Sequence, residues 1–203
     1  MIRFANLISY LFHPIFMTIL GVLIIFNSGI YISEIPAEYK RYILTIVFLC
    51  DILIPLTLIP ALYLFKNIQH ITLNERRERI IPLFFSTVCF YIGYYLVSRF
   101  AAIRVVNLFL FSGVVLLLVI LLISVFWKIS LHMAGLGGIT GLILILSYSY
   151  VLDMTVFLSA AILISGIVGT ARLALNSHSL LQIVTGYAAG LLIVFGFLMQ
   201  LAL

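Results

Sequence analysis

Residues 105–127, VVNLFLFSGVVLLLVILLISVFW, run without a charged side chain; three residues later a second uncharged stretch fills 131–148. Read as one helix, 105–148 would be about 65 Å long at ~1.5 Å per residue, twice the ~30 Å of a bilayer's hydrocarbon core. The chain therefore turns at Lys128-Ile129-Ser130, and two helices replace one. Further apolar segments lie at 10–33, 42–65, 81–98, 154–171 and 180–203. Where 65% of residues are hydrophobic and 8% charged, against about 45–50% and 25% in soluble domains, each segment reads as a membrane span. The expected fold is all-α, a polytopic transmembrane helix bundle of six to seven spans. The connections are short, so residues 1–203 form a single integral membrane domain. The N-terminal apolar stretch is long and no A-x-A-like cleavage site follows it, so it reads as a first span rather than a signal peptide.

The minor features fit the same class. Cys50 and Cys89 lie inside apolar runs and behave as small hydrophobes. The net charge of +5 comes from eleven Lys and Arg against six acids. These cations gather at helix ends, where topology and lipid contact account for them, and nucleic acid is set aside as a partner.

Seven spans put the connections 66–80, 128–130 and 172–179 on one face, the side of the N-terminus. Three polar stretches meet there. In ARLALNSHSLLQIVTGYAAG (171–190), Arg172 and His178 could not share a face of one continuous helix, being about 240° apart. A helix break resolves this, with Asn176 or Ser177 as the cap of a new helix. His178 and Gln182 are then four residues apart, within hydrogen-bond reach, and the new helix N-terminus beside Arg172 favours an anion. In FWKISLHMAGLGG (126–138), Lys128, Ser130 and His132 offer a cation, a hydroxyl and an imidazole, while the glycines and GYAAG permit close helix packing. In TLNERRERIIP (72–82), Arg76 and Arg79 share a helical face, and guanidinium groups grip phosphate at two points. Two histidines among these cations, with no cysteine or carboxylate at metal-ligand spacing, suit phosphoryl transfer through a phosphohistidine.

These residues resemble the type 2 phosphatidic acid phosphatase superfamily of membrane lipid phosphatases, whose signature is K-x6-R-P, then P-S-G-H, then S-R-x5-H-x3-D. The third motif corresponds to Ala171-Arg172-x5-His178-x3-Gln182 and the second to Ile129-Ser130-Leu131-His132. The first is looser, with Arg79 seven residues after Thr72 and the proline at Pro82. The resemblance covers about residues 70–190. It implies His178 as nucleophile, His132 as general acid, Gln182 as the group orienting His178, and Arg172, Ser130, Lys128, Arg76 and Arg79 as phosphate-binding residues. It also implies a lipid phosphate or diphosphate substrate, no metal or other cofactor, and a bacterial inner (plasma) membrane location.

The main departure is Gln182, where the family carries aspartate. A glutamine orients an imidazole but brings no negative charge to stabilise its cationic form. A catalytically weak or inactive member that binds or moves an anionic lipid is the second reading. A small transporter using Asp51, deep in the second apolar segment, is the third. The orientation stays open on charge alone. Seven cations (Arg3, Lys66, Arg76, Arg77, Arg79, Lys128, Arg172) lie on the motif face and four (Lys40, Arg41, Arg99, Arg104) opposite. Without the presumed ligands Arg76, Arg79, Lys128 and Arg172 the balance is three to four.

Overall fold

Lipid offers the backbone no hydrogen-bond partner, so a chain this apolar satisfies its peptide groups within helices. A computed structural model of the protein describes residues 2–29, 35–64, 77–101 and 103–202. Among the described residues, seven stretches are long and apolar enough to cross a membrane: Ile2–Phe26, Ala37–Leu58, Ile80–Phe100, Arg104–Phe126, Leu131–Tyr150, Thr155–Ala174 and Leu180–Leu201. The protein is an all-α polytopic bundle.

The first two spans are interrupted, and a proline sits at each interruption. Helices α1 (Ile2–Leu11) and α2 (Met17–Phe26) are separated by a 3-10 turn, Pro14–Phe16. Pro14 lacks an N–H and restricts the residue before it. His13 accordingly takes an extended backbone, and its Nδ1 accepts the Ile15 N–H at 3.3 Å. The span starts at residue 2 rather than 10 because Arg3, Asn6 and Ser9 interrupt the apolar run without interrupting the helix. It ends at Phe26, where Asn27 turns its side chain back on the Leu23 carbonyl (2.8 Å) and Gly29 takes a positive φ of 78°.

In the second span, α3 (Ala37–Val47) and α4 (Ile54–Leu64) are joined by a π-helical turn, Phe48–Leu53. Ile54 N–H reaches back five residues to the Leu49 carbonyl, and Pro55, next in line, has no N–H to offer. Asp51 lies in this turn, 2% exposed, and its Oδ1 has no hydrogen-bond partner. It faces Gly93 of α5 (Ile80–Phe100), where an added Cβ would stand 2.9 Å from that oxygen.

The remaining helices are α6 (Arg104–Phe126), α7 (Leu131–Tyr150), α8 (Thr155–Ala174) and α9 (Leu180–Leu198). The chain turns between α6 and α7 as its length requires. Helix α7 is the most enclosed span, and its closest neighbour is α9. Gly137 and Gly141 of α7 lie against the backbone of Tyr187 and Leu191, and Gly186 and Gly190 of α9 against that of Ser130 and Ala134, so tightly that a Cβ on Gly137 would collide with the Tyr187 carbonyl, and one on Gly190 with the Ala134 carbonyl. The glycines read as packing residues do pack, in the small-xxx-small spacing that lets two backbones touch in a membrane. This seam matters because both helices begin at the polar face.

Candidate functional site

Helix α8 ends in a left-handed cap. Asn176 takes φ +51°, Asn176 N–H bonds to the Leu173 carbonyl (2.9 Å), and Ser177 N–H bonds to the Arg172 carbonyl (3.1 Å). This is the Schellman arrangement, and Asn is one of the few side chains that tolerate the αL position. Asn176 and Ser177 therefore close α8, correcting the expectation that one of them would cap the next helix. The N-cap of α9 is Ser179. Its Oγ accepts the Gln182 N–H (3.4 Å) while Gln182 Oε1 accepts the Ser179 N–H (3.2 Å), a reciprocal capping box. His178 is the last residue before that cap and lies outside the helix.

The same Gln182 Oε1 stands 3.0 Å from His178 Nδ1. Because the backbone N–H of Ser179 can only donate, the Gln182 atom it meets is the carbonyl oxygen, which fixes the orientation of the amide. That oxygen can only accept, so His178 Nδ1 carries the hydrogen and Nε2 is left with its lone pair. The predicted His178–Gln182 pair thus exists, but it is held by the cap rather than by a shared helical face.

His178 is 7% exposed. Its pKa is lowered from the usual 6.5 to about 4, mainly by burial; the Gln182 hydrogen bond works the other way, and the positive charges of Arg79, Arg172 and Lys128 add to the lowering. Cations from all three connections therefore act on one imidazole. Arg79 is half-buried at the start of α5, and burial together with Arg172 lowers its own pKa. An unfolded histidine titrates near ~6.5, so between pH 6.5 and about 4 the unfolded chain takes up a proton that folded His178 refuses. Stability is lost as the pH falls through this window. The melting temperature in detergent should drop from pH 7 to pH 4.5, and drop less in His178→Asn.

The 128–130 turn is tied directly to α9, with Ser130 N–H donating to the Gln182 carbonyl at 3.2 Å. Ser130 is fully buried at the N-cap of α7, yet its Oγ has no partner. His132, the second residue of α7, turns toward α1: its Nε2 lies 3.1 Å from the Ser9 carbonyl. A carbonyl only accepts, so Nε2 bears the hydrogen and Nδ1 is the ring atom left to exchange a proton. His132 and His178 are close enough to interact electrostatically. Arg172 Nη1 donates to Ser9 Oγ (3.4 Å), and Arg172 Nε is buried without a partner. An orphaned guanidinium donor and an orphaned hydroxyl among cations are groups that a bound anion would satisfy.

The structure thus brings Arg79, Lys128, Ser130, His132, Arg172, His178 and Gln182 to one end of the bundle. Arg76 and Lys66 lie outside the described residues. Asp51 lies on another span, within electrostatic reach of Cys50 and Cys89. Sequence reasoning missed the contribution of α1: Ser9 links His132 to Arg172, and His13 packs edge-on against His132, ring centroids 5.5 Å apart. No spacing rule signals contacts made across 123 and 163 residues.

An apolar cavity of about 70 Å³ lies within the bundle, lined among others by Pro14, Met17, Phe90, Phe109, Leu131 and Gly135 and by none of the residues of this cluster. Among the described residues no three His, Cys, Asp or Glu side chains are grouped as metal ligands would be. In comparisons with protein-family models, curated proteins and solved structures, no match to the chain was found.

Proposed function

We propose that this membrane protein hydrolyses a lipid phosphate or diphosphate through a phosphohistidine on His178. One observation carries the reading. His178 is a buried imidazole whose Nδ1–H is held by Gln182, which leaves the lone pair on Nε2, and the ring lies within electrostatic reach of Arg79, Lys128 and Arg172. An imidazole under three positive charges stays unprotonated at neutral pH and is thereby a nucleophile, while the cations complement the equatorial oxygens of a phosphoryl group. Nε2 attacks phosphorus and the bond to the leaving oxygen breaks. The leaving oxygen is protonated through His132, whose Nδ1 takes a proton from the substrate's phosphate monoanion and passes it on; the same Nδ1 then takes one from the water that breaks the phosphorus–nitrogen bond and hands it to the released phosphate. A site at one end of a bundle of membrane-spanning helices lies where a lipid headgroup does, which favours a lipid over a soluble phosphate ester. The resemblance of Ser130-x-His132 and Arg172-x5-His178-x3-Gln182 to the type 2 phosphatidic acid phosphatase motifs supports the same reading.

Gln182 specifically favours a second reading, a binder of anionic lipid with little turnover, and one experiment separates the two. Gln182→Glu is the isosteric change, because a glutamate oxygen can accept from both His178 Nδ1–H and Ser179 N–H and adds a charge suited to a helix N-terminus. Purified protein is incubated in detergent and EDTA with phosphatidic acid, phosphatidylglycerol phosphate, undecaprenyl diphosphate and lipid A. Wild type is expected to release phosphate from at least one of them, and Gln182→Glu to release it about 10- to 100-fold faster, as a carboxylate stabilises the imidazolium form. Phosphate release by Gln182→Glu alone would establish the binder. Failure of both on every substrate would overturn the phosphatase reading.

A further inference from the structure

We infer that Ser9, in the first span, is a positioning residue that sets the phosphate-binding and proton-transfer groups of this site together; the inference rests on the phosphatase reading above. Ser9 is buried, and it is the point at which two candidate residues from different helices meet. Its carbonyl accepts from His132 Nε2 of α7 at 3.1 Å. Its hydroxyl accepts from Arg172 Nη1 of α8 at 3.4 Å.

Each contact leaves one group of its partner to the site. Holding Arg172 by Nη1 leaves Nε, which is buried and otherwise without a partner, as a donor for a phosphate oxygen. Holding His132 by Nε2–H leaves Nδ1 as the atom that exchanges a proton, and His13 packed edge-on against the ring keeps its plane. A planar guanidinium fixed at one nitrogen loses less rotational freedom when it meets an oxyanion, so its contribution to binding is larger. The α1 helix is thereby part of the site although it carries none of the groups that would touch phosphorus.

The two arms are separable because one is backbone. Ser9→Ala deletes the hydroxyl and keeps the carbonyl; Ser9→Thr keeps both. The probe is orthovanadate, a phosphate analogue, and the reporter is Trp127, the single tryptophan, which neighbours Lys128. Titrations of the purified full-length protein in detergent follow Trp127 fluorescence. Wild type should bind vanadate, Ser9→Ala should bind about ten- to a hundredfold more weakly, the scale of one hydrogen bond to a charged group, and Ser9→Thr should restore binding. In turnover, Ser9→Ala should raise KM more than it lowers kcat and leave the pH profile in place, since the bond to His132 survives. A residue that merely packs would lower the melting temperature and move neither ratio. Vanadate binding that is equal in wild type and Ser9→Ala overturns the inference. No binding to wild type overturns the phosphatase reading on which it rests.

Discussion

His178→Ala should lower phosphate release by about a thousandfold or more, because it removes the atom that bonds to phosphorus and not merely a contact. Vanadate binding should persist within a few-fold, since Arg79, Lys128 and Arg172 remain and are relieved of an imidazole that competes for space. His132→Ala behaves differently. Its defect should be large, about a hundredfold or more, for an alkyl phosphate, whose departing oxygen needs a proton. For an aryl phosphate with a nitrophenolate leaving group, which departs without one, the defect should be small. Parallel kinetics on the two substrates therefore assign the two histidines separately. Equal losses for both variants on both substrates would contradict the division of roles.

The second large effect is structural. Gly137→Ala or Gly190→Leu should prevent recovery of monodisperse protein, because the first added carbon already overlaps a carbonyl of the facing helix. Backbone cannot rotate aside as a side chain can, so α7 and α9 must separate along the seam and forfeit its dispersion contacts. Overpacking of side chains costs about 1–3 kcal/mol, and collision with backbone costs more. Gly166→Ala and Gly196→Ala are the controls, since an added Cβ meets nothing within 4 Å at either position, and they should purify and melt as wild type does. Gly186→Ala is the informative intermediate. Its Cβ would come 2.6 Å from the Ser130 carbonyl, directly under the Ser130 N–H to Gln182 bond, so activity should fall well before the protein fails to fold. Size-exclusion profiles, melting curves and phosphate release on the five variants test this order.

How much of this was legible beforehand depended on whether a feature was local. The runs at 105–127 and 131–148 announced two helices because no charge interrupts them and their joint length exceeds a bilayer. The start of α1 was misplaced by eight residues, because Arg3, Asn6 and Ser9 hide a helix from a count of consecutive apolar residues. The His178–Gln182 pair followed from spacing, yet its geometry did not: the two cap candidates, Asn176 and Ser177, close α8 through the left-handed Asn176, which leaves Ser179 to cap α9. The π-turn at Phe48–Leu53 has no signal in the sequence beyond Pro55, which lacks an N–H to continue the ladder. Ser9 and His13 were invisible as site residues, since their partners are brought to them by the fold of the whole bundle.

The central claim is a covalent bond between His178 and phosphorus, and trapping that bond tests it most directly. Wild type and Gln182→Glu would be mixed with a lipid phosphate that Gln182→Glu hydrolyses, quenched in alkali within the first turnover, digested and analysed by mass spectrometry under conditions that preserve phosphohistidine. The account predicts a phosphoryl group on the peptide bearing His178, labile to acid, absent from His178→Ala and more abundant in Gln182→Glu. Phosphate released at full rate with no phosphoryl group on His178, or with one on another residue, would contradict it.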